Sequence, residues 1–114
     1  PQAQLDWLDR TLKSAKEDWV VVVGHHPIYA YTTKAEYERT DMQKNVMPIL
    51  HKYNNVAIYA CGHIHNFQHI RMPNDDIEYV VNSSAIISAS KKTLKMSMID
   101  KDGKVIHTIE KTKK

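Results

Sequence analysis

The chain has 114 residues, of which 42% are hydrophobic and 25% charged, and its 16 basic and 13 acidic side chains give a net charge of +3. This length suits one domain with a buried core, and no apolar run is long enough to cross a bilayer. The sequence has no zinc-finger spacing, no aromatic RNA-binding strand and no heptads below a basic region. We therefore expect neither a membrane span nor a nucleic-acid partner.

The first predicted element is an amphipathic helix from Gln2 to Asp18. Apolar side chains recur there at intervals of three and four residues, at Leu5, Leu8, Leu12 and Ala15. This is the stripe of a helix that packs on a sheet. Trp19 to Val23 follows as a short β-branched run bounded by Gly24, which predicts a strand of a parallel sheet, buried on both faces.

The middle of the chain predicts a loop, a short helix and a second buried strand. Residues from Pro27 to Arg39 lack a clear period, and we interpret them as a long loop. A helix is predicted around Val46 to Tyr53, with Pro48 in its first turn and Asn45 or a neighbour as its cap. Val56 to Cys61 is the second buried strand.

Two antiparallel hairpins are predicted in the second half of the chain. Gln68 to Met72 and Ile77 to Val81 flank a Pro-Asn-Asp-Asp turn, and Leu94 to Ile99 and Val105 to Ile109 flank an Asp-Lys-Asp-Gly turn. Apolar runs on both sides of such turn residues are typical of hairpins. The predicted fold class is α/β, grading into α+β because the chain ends in antiparallel hairpins.

Each of the two predicted parallel strands ends in a glycine followed by histidine. His25 follows the first strand, and His63 and His65 follow the second, after Gly62, which we expect to permit a sharp turn. Ligand crevices lie at the carboxyl ends of such strands, and histidines two residues apart share one side of an extended backbone. Imidazole is the commonest metal ligand, so we predict part of a site for Zn, Fe or Mn.

Other residues allow competing interpretations. Cys61 extends the array to Cys-x-His-x-His, the pattern of a structural zinc site, but a cysteine in an apolar strand is better interpreted as a core thiol. We interpret His51 and His107 as surface or packing residues and His69 as structural. With only three glycines the sequence has no Gly-x-Ser-x-Gly elbow, Walker A loop or dinucleotide fingerprint, so metal chemistry is favoured.

The motifs together resemble those of the calcineurin-like metallophosphoesterases, and among them the purple acid phosphatases of tartrate-resistant type. The similar segments are Gln4-Leu5-Asp6-Trp7-Leu8, Lys16-Glu17-Asp18-Trp19, Val22-Val23-Gly24-His25-His26-Pro27 and Ala60-Cys61-Gly62-His63-Ile64-His65-Asn66-Phe67-Gln68. The resemblance covers most of the chain up to Ser84. It implies part of a four-layer α-β-β-α sandwich.

The resemblance also implies a function and a set of site residues. His25 and His63 would bind a divalent metal, His65 would bind trivalent iron or its substitute, and His26 would lie beside the substrate as a phosphate contact. The implied reaction is hydrolysis of a phosphate ester with two metal ions, Fe with Zn, Mn or Fe, which activate a water and neutralise the phosphoryl oxygens. A secreted or periplasmic location is implied by the family alone.

The sequence departs from the family where the first-half motifs should stand. Asp-x-Gly, Gly-Asp-x-x-Tyr and Gly-Asn-His-Glu/Asp do not occur, and the chain opens on Pro1 rather than Met. We therefore expect residues 1–114 to be a single C-terminal portion of the domain, whose partner is the N-terminal half of the same protein. Alone, it should be nearly inactive, with a partial or empty metal site, and prone to form a homo-oligomer or a strand-exchanged dimer.

Two smaller departures bear on the site. A family histidine expected after the first motif has no counterpart, and Tyr29, Tyr31 or Lys34 would offer polar groups in its place. The passage from Ser90 to Thr93 is shorter than the family pattern, so we expect residues to be missing there. The alternative to the phosphatase hypothesis is a non-catalytic structural or interaction module with at most one structural metal.

Overall fold

The structure is a computed structural model that describes residues 2–24, 28–29, 36–62, 67–82 and 84–113. The helices are α1 (Gln2–Ser14), α2 (Glu36–Asn45) and α3 (Met47–His51). The strands are β1 (Val20–Gly24), β2 (Val56–Cys61), β3 (Gln68–Arg71), β4 (Glu78–Val81), β5 (Ala85–Ala89), β6 (Thr93–Ile99) and β7 (Val105–Thr112). No described helix has the combination of length and apolar character that a membrane crossing requires.

The predicted N-terminal helix is confirmed as α1, but it ends at Ser14 rather than Asp18. The last turn tightens, because the amide of Ala15 donates to the carbonyl of Leu12 at 3.2 Å. The amide group of Asn55 then donates to the carbonyls of Ala15 and Glu17 at 3.4 and 3.2 Å. Those carbonyls are thus occupied by a side chain that comes from the turn before β2.

The predicted loop from Pro27 to Arg39 is wrong over its last residues, because α2 begins at Glu36. This helix is polar along most of its length, so its sequence shows little apolar periodicity. It is anchored by a few residues instead: Arg39 is buried, and Met42 packs against the core beside the other helices. Residues 30–35 lie outside the described residues.

The second predicted helix is confirmed as α3, with Pro48 in its first turn. The cap is the neighbour of Asn45 rather than Asn45 itself. The N-cap position is Val46, which makes no side-chain cap bond, while the amide of Asn45 donates to the carboxylate of Asp41 at 2.7 Å. Asn45 is thus the last residue of α2, and its side chain serves that helix.

The parallel sheet is confirmed for β1 and β2, and the full four-stranded sheet is mixed. Its order is β1-β2-β4-β3, with β2 parallel to both β1 and β4, and β3 antiparallel to β4. The prediction that β1 is buried on both faces is wrong, because β1 is an edge strand and Val23 is 76% exposed. β2 has the predicted bounds and is buried along nearly its whole length.

The second sheet is antiparallel, with the order β5-β6-β7. Both predicted hairpins, β3–β4 and β6–β7, are confirmed, and residues with positive φ lie in their turns: Asn74 at 59° and Gly103 at 81°. The strand β5 was not predicted. It joins β6 through a tight turn in which the amide of Ser90 donates to the carbonyl of Thr93 at 2.7 Å.

Two hydrophobic cores separate three layers. The helices meet the mixed sheet through Leu12, Ile28, Leu50, Val56, Tyr59, Cys61, Ile70, Ile77, Tyr79 and Val81. The two sheets meet through Ala57, Ile58, Val80, Leu94, Met96, Met98 and Ile109. Successive residues of β4 and of most of β2 face opposite layers, as the period of a strand requires. The α+β class is confirmed, and the described residues form helix, sheet and sheet layers of the expected sandwich.

The two sides of this sandwich differ. On one side, which we call the closed flank, β7 of the second sheet lies against β3 and β4 through the contacts of His107 with His69 and of Lys111 with Glu78. On the other, which we call the open flank, β1 and β5 are the edge strands of the two sheets in the described part of the chain. The indole of Trp19, just before β1, donates there to the carbonyl that follows β5 at 2.9 Å.

Candidate metal centre

The carboxyl ends of the parallel strands lie side by side at one edge of the mixed sheet. Gly24 at the end of β1 is paired with Cys61 at the end of β2, and Cys61 is paired with Val81 at the end of β4. The amide of Asn82 extends this pairing by donating to the Cys61 carbonyl at 2.8 Å. Three strands therefore deliver the chain to the same edge, where ligand crevices form in such sheets.

The predicted ligands themselves, His25, His63 and His65, lie outside the described residues, as does His26. Among the side chains that the structure does describe, none form a group of three or more His, Cys, Asp or Glu residues arranged to hold a metal. The described strand ends are compatible with the predicted set of ligands. His25 directly follows Gly24, and His63 lies two residues after Cys61, the residue of β2 that pairs with Gly24. Three neutral imidazoles suit a cation of borderline softness. Because these histidines are not described, their assignment as metal ligands stays a prediction.

The two glycines at this edge differ in what they do. A Cβ on Gly24 would collide with the hydroxyl of Tyr59, whose buried ring fills the space beside the end of β1. At Gly62 the nearest atom to a Cβ would be the carbonyl oxygen of Asn82 at 3.9 Å, an ordinary contact, and only Gly103 among the described glycines has a positive φ. The backbone of Gly62 is thus outside the left-handed region, and the turn predicted after it lies outside the described residues, whereas close packing requires a glycine at Gly24.

Cys61 is a core thiol, as interpreted from its strand. It is buried and unbridged, and its Sγ lies 3.5 Å from the carbonyl oxygen of Val80. Burial raises the pKa of Cys61 to about 12. Metal ligation requires the thiolate, so this environment disfavours the Cys-x-His-x-His zinc site.

Tyr29 does not supply the polar group expected of it at the strand ends. Its hydroxyl lies 2.9 Å from the sulfur of Met47, and its ring meets that of Tyr79 edge-on with the centroids 4.8 Å apart. Burial raises the pKa of Tyr29, with a further contribution from the charge of Asp75. This tyrosine belongs to the core under the helices, while Tyr31 and Lys34 lie outside the described residues.

A network of charged and polar side chains, which the sequence analysis missed, lies on the closed flank around Glu78. This carboxylate is buried and accepts hydrogen bonds from Arg71 Nε at 2.6 Å, His69 Nε2 at 2.7 Å and Lys111 Nζ at 3.2 Å. Burial alone would raise the pKa of Glu78, but these bonds and the charge of Lys111 outweigh it and hold the pKa below its usual value. Nδ1 of the same His69 lies 2.9 Å from Nε2 of His107.

A second carboxylate–histidine pair fastens the turn of the same hairpin. Asp75 accepts a hydrogen bond from the hydroxyl of Tyr79 at 2.5 Å and one from the amide of Ile77 at 2.9 Å, and it lies 3.0 Å from His51 Nε2. Burial would raise the pKa of Asp75, but the bonds from Tyr79, Ile77 and His51 outweigh it and lower the pKa. Both pairs have a sequence signal, since the acids lie in or just after the predicted Pro-Asn-Asp-Asp turn, although distant histidines complete them.

The family of the chain follows from its sequence. Residues 1–67 match the family model described as calcineurin-like phosphoesterase. This match includes β1, β2 and the segment with His63 and His65. The chain therefore belongs to the calcineurin-like phosphoesterase family.

Particular relatives lie among the acid phosphatases. The chain is 40% identical over 84 residues to tartrate-resistant acid phosphatase type 5 of Rattus norvegicus, which covers 73% of this chain and 24% of that protein. It is 31% identical over 83 residues to purple acid phosphatase 17 of Arabidopsis thaliana, with the same two shares covered. The chain thus aligns with about a quarter of the length of these relatives.

Two solved structures share the fold over nearly the whole chain. A dimetal phosphatase from Danio rerio superposes with a TM-score of 0.74 at 16% identity, covering 98% of this chain and 38% of that one. GAP50, the anchor in the inner membrane complex of Plasmodium, superposes with a TM-score of 0.77 at 21% identity, covering 99% of this chain and 43% of that one. At these identities the likeness establishes the architecture.

Proposed function

We propose that the whole protein hydrolyses phosphate esters as a two-metal phosphohydrolase of the acid phosphatase type. In this proposal His25 and His63 bind a divalent cation, His65 binds iron or its substitute, and His26 contacts the phosphate. The observation that carries it is the pairing of Gly24 with Cys61, because it starts both histidine motifs from neighbouring points of one sheet edge. The similarity to tartrate-resistant and purple acid phosphatases supports the same assignment.

The chemistry requires two cations, which we propose to be Fe with Zn, Mn or Fe. When bound, such a pair activates water and neutralises the phosphoryl oxygens of the ester. The residues of this chain would bind and orient: the three imidazoles hold the cations through neutral nitrogens, which must be free of protons to do so. Tyr59 and Cys61 are buried at the end of β2, so the strand from which the His63 motif starts is held rigidly by its packing.

We further propose that residues 1–114 are the C-terminal portion of the domain and that the N-terminal half of the same protein covers the open flank. Every residue of β5 is exposed, as is Val23 of β1, so both sheets present apolar edges there. An open groove of about 580 Å³ runs between α1 and β1 and is lined mainly by apolar side chains, Trp7 and Leu8 among them. Exposed strand edges and apolar patches of this kind are normally covered.

The alternative is a non-catalytic module with at most one structural metal. It has one specific observation in its favour, which is that the same architecture occurs in a Plasmodium protein described as an anchor. A module of this kind needs the sheets and their cores but not a set of converging imidazoles. Loss of the imidazoles therefore distinguishes the two functions.

The test is hydrolysis of p-nitrophenyl phosphate by the whole protein, together with its metal content after dialysis. We expect both to fall to background in His63→Ala and His65→Ala. His51→Ala is the matched control, because it also removes one imidazole but lies on α3 beside Asp75, and it should retain activity and metal. Unchanged hydrolysis in both motif variants would exclude the phosphatase proposal.

The chain by itself should hydrolyse the ester poorly or not at all. Three imidazoles without carboxylate ligands bind a divalent cation weakly, and two cations are needed to clamp the phosphoryl group. Turnover by the isolated chain that equals turnover by the whole protein would contradict this. The family resemblance also supports a secreted or periplasmic location, which fractionation of the native source would test.

A further inference from the structure

The segment with His63 and His65 is held unequally at its two ends. It begins just after β2, which pairs with β1 on one side and β4 on the other. It ends just before β3, a strand of four residues at the edge of the sheet that pairs with β4 alone. A short edge strand has half the ladder bonds of an inner strand, so its position depends on side-chain contacts.

His69, the second residue of β3, provides such contacts in two directions. Its Nε2 lies 2.7 Å from Glu78 Oε1, and its Nδ1 lies 2.9 Å from His107 Nε2 in the other sheet. A carboxylate only accepts hydrogen bonds, so Nε2 of His69 carries the hydrogen, and in the neutral ring Nδ1 accepts from Nε2 of His107. The orientation of the His69 ring is thereby fixed from both sides.

Glu78 is itself held in place. Arg71 Nε and Lys111 Nζ donate to its two oxygens at 2.6 and 3.2 Å, and the carboxylate side chain is 7% exposed. Lys111 and His107 both belong to β7, so one strand of the second sheet contacts both Glu78 and His69. We call the hydrogen-bonded series Glu78, His69 and His107 the relay, and it joins the two sheets at the start of β3.

His107 also reaches the residue that directly follows the histidine segment. Its ring lies 6.2 Å from the ring of Phe67, at an interplanar angle of 58°, and 5.1 Å from the ring of His69. One side chain of β7 thus contacts the chain at both residues that flank Gln68. The contacts fix where the backbone leaves the segment.

We propose that His69, His107 and Glu78 are positioning residues for the metal site: they fix the exit of the segment that carries His63 and His65, and so raise the affinity of that segment for a divalent cation. This inference rests on the proposed function, because it concerns the ligands assigned there. Groups that orient metal ligands typically change affinity by about 10–100-fold when removed. His69 lies in the strand that follows the segment rather than in the segment itself, so we expect the lower end of that range.

The test uses two substitutions at one position of the whole protein. His107→Phe retains a ring against Phe67 but loses the bond to His69, and His107→Gln retains a donor. We expect Zn²⁺ affinity, measured by competition with a chelating dye, to fall about tenfold in His107→Phe. It should return towards the original value in His107→Gln. His51→Ala removes the other carboxylate–histidine contact of the same hairpin and should leave the affinity unchanged.

A second measurement is independent of metal and of activity. Hydrogen exchange of the amides at residues 67–71 in the metal-free protein should be faster in His107→Phe than in His107→Gln. Equal affinities in the original protein and both variants, or equal weakening in both variants, would overturn the inference. If the original protein neither binds metal nor hydrolyses ester, the proposed function fails, while unchanged exchange in His107→Phe would separately refute the positioning of β3.

Discussion

The closed and open flanks of this molecule differ in the chemistry of their side chains. On the closed flank, a buried carboxylate gathers His69, Arg71 and Lys111 and ties the two sheets together through polar contacts. On the open flank, the strand edges present apolar side chains, with Val23 76% and Ile86 60% exposed. The chain therefore pairs its buried polar groups on the closed flank and exposes apolar surface on the open flank.

The greatest loss of stability should follow a substitution on the closed flank. Glu78→Leu removes the acceptor on which three donors converge, and His69 and Lys111 are too enclosed to be fully solvated instead. Breaking a buried charged network in this way costs about 3 kcal/mol of unfolding free energy. Urea denaturation measures it. A loss as small as that of an exposed substitution would mean that the flank is held by apolar packing alone.

A smaller loss is expected where the open flank meets the candidate metal centre. Gly24→Ala places a methyl group against the buried Tyr59 ring, and overpacking of this kind costs about 1–3 kcal/mol. Gly62→Ala is the matched control, because the nearest atom to its Cβ among the described residues lies at 3.9 Å, an ordinary contact. Thermal or urea unfolding of the two variants should separate them. Equal stability would show that Tyr59 moves aside freely.

The closed flank should also make stability depend on pH in acid. Glu78 and Asp75 have pKa values below their usual 4.5 and 3.8 in the folded protein, so the folded state binds fewer protons than the unfolded state. Their contribution is complete above those usual values and is lost as the pH falls through the lower, folded values. Urea unfolding between about pH 5 and pH 3 should show this fall.

The variant Glu78→Gln sharpens the pH test. It keeps a side chain of nearly the same shape but cannot ionise, so the acid-dependent loss of stability should be shallower than in the original protein. Asp75→Asn should act in the same direction through the other pair. A pH profile identical to that of the original protein in both variants would exclude these carboxylates as its source.

The smallest effect on stability is expected on the open flank. Val23→Lys places a charge on an edge strand at a position already in solvent, so the unfolding free energy should change by less than about 0.5 kcal/mol. Self-association should change instead, because charged edge residues block strand pairing between copies. Sedimentation of the isolated chain should show a homo-oligomer or strand-exchanged dimer in the original and a smaller species in Val23→Lys.

Much of this architecture was predictable because its signals are local. The β-branched run at β1, the buried run at β2 and both hairpins have bounds within a few residues of those predicted, since turn residues and apolar periods mark them. The strand β5 carries no alternation of apolar and polar residues, because its whole surface is exposed. The polar helix α2 was not predicted either, because the few residues that anchor it to the core give no apolar periodicity.

Contacts between residues that are far apart in the sequence could not be predicted from local patterns. Nothing in the sequence joins His69 to His107, which are 38 positions apart, or indicates that Tyr59 packs so closely that a glycine is required at Gly24. Such contacts follow from how the sheets cross, which depends on the packing of both cores. The metal ligands His25, His63 and His65 were predicted from their positions after two parallel strands and from the family resemblance of their motifs, and they remain a prediction that the metal assays address.

The position of Trp19 gives the molecule a built-in optical reporter. Its indole donates to the backbone beside β5, and the ammonium of Lys113 lies 5.1 Å from its ring centre, so its emission reports whether the ends of the two sheets stay together. The second tryptophan, Trp7, is 59% exposed beside the groove of the open flank, and its emission would shift to the blue when another polypeptide covers it. Replacing either indole by phenylalanine would let fluorescence follow unfolding and assembly as separate events.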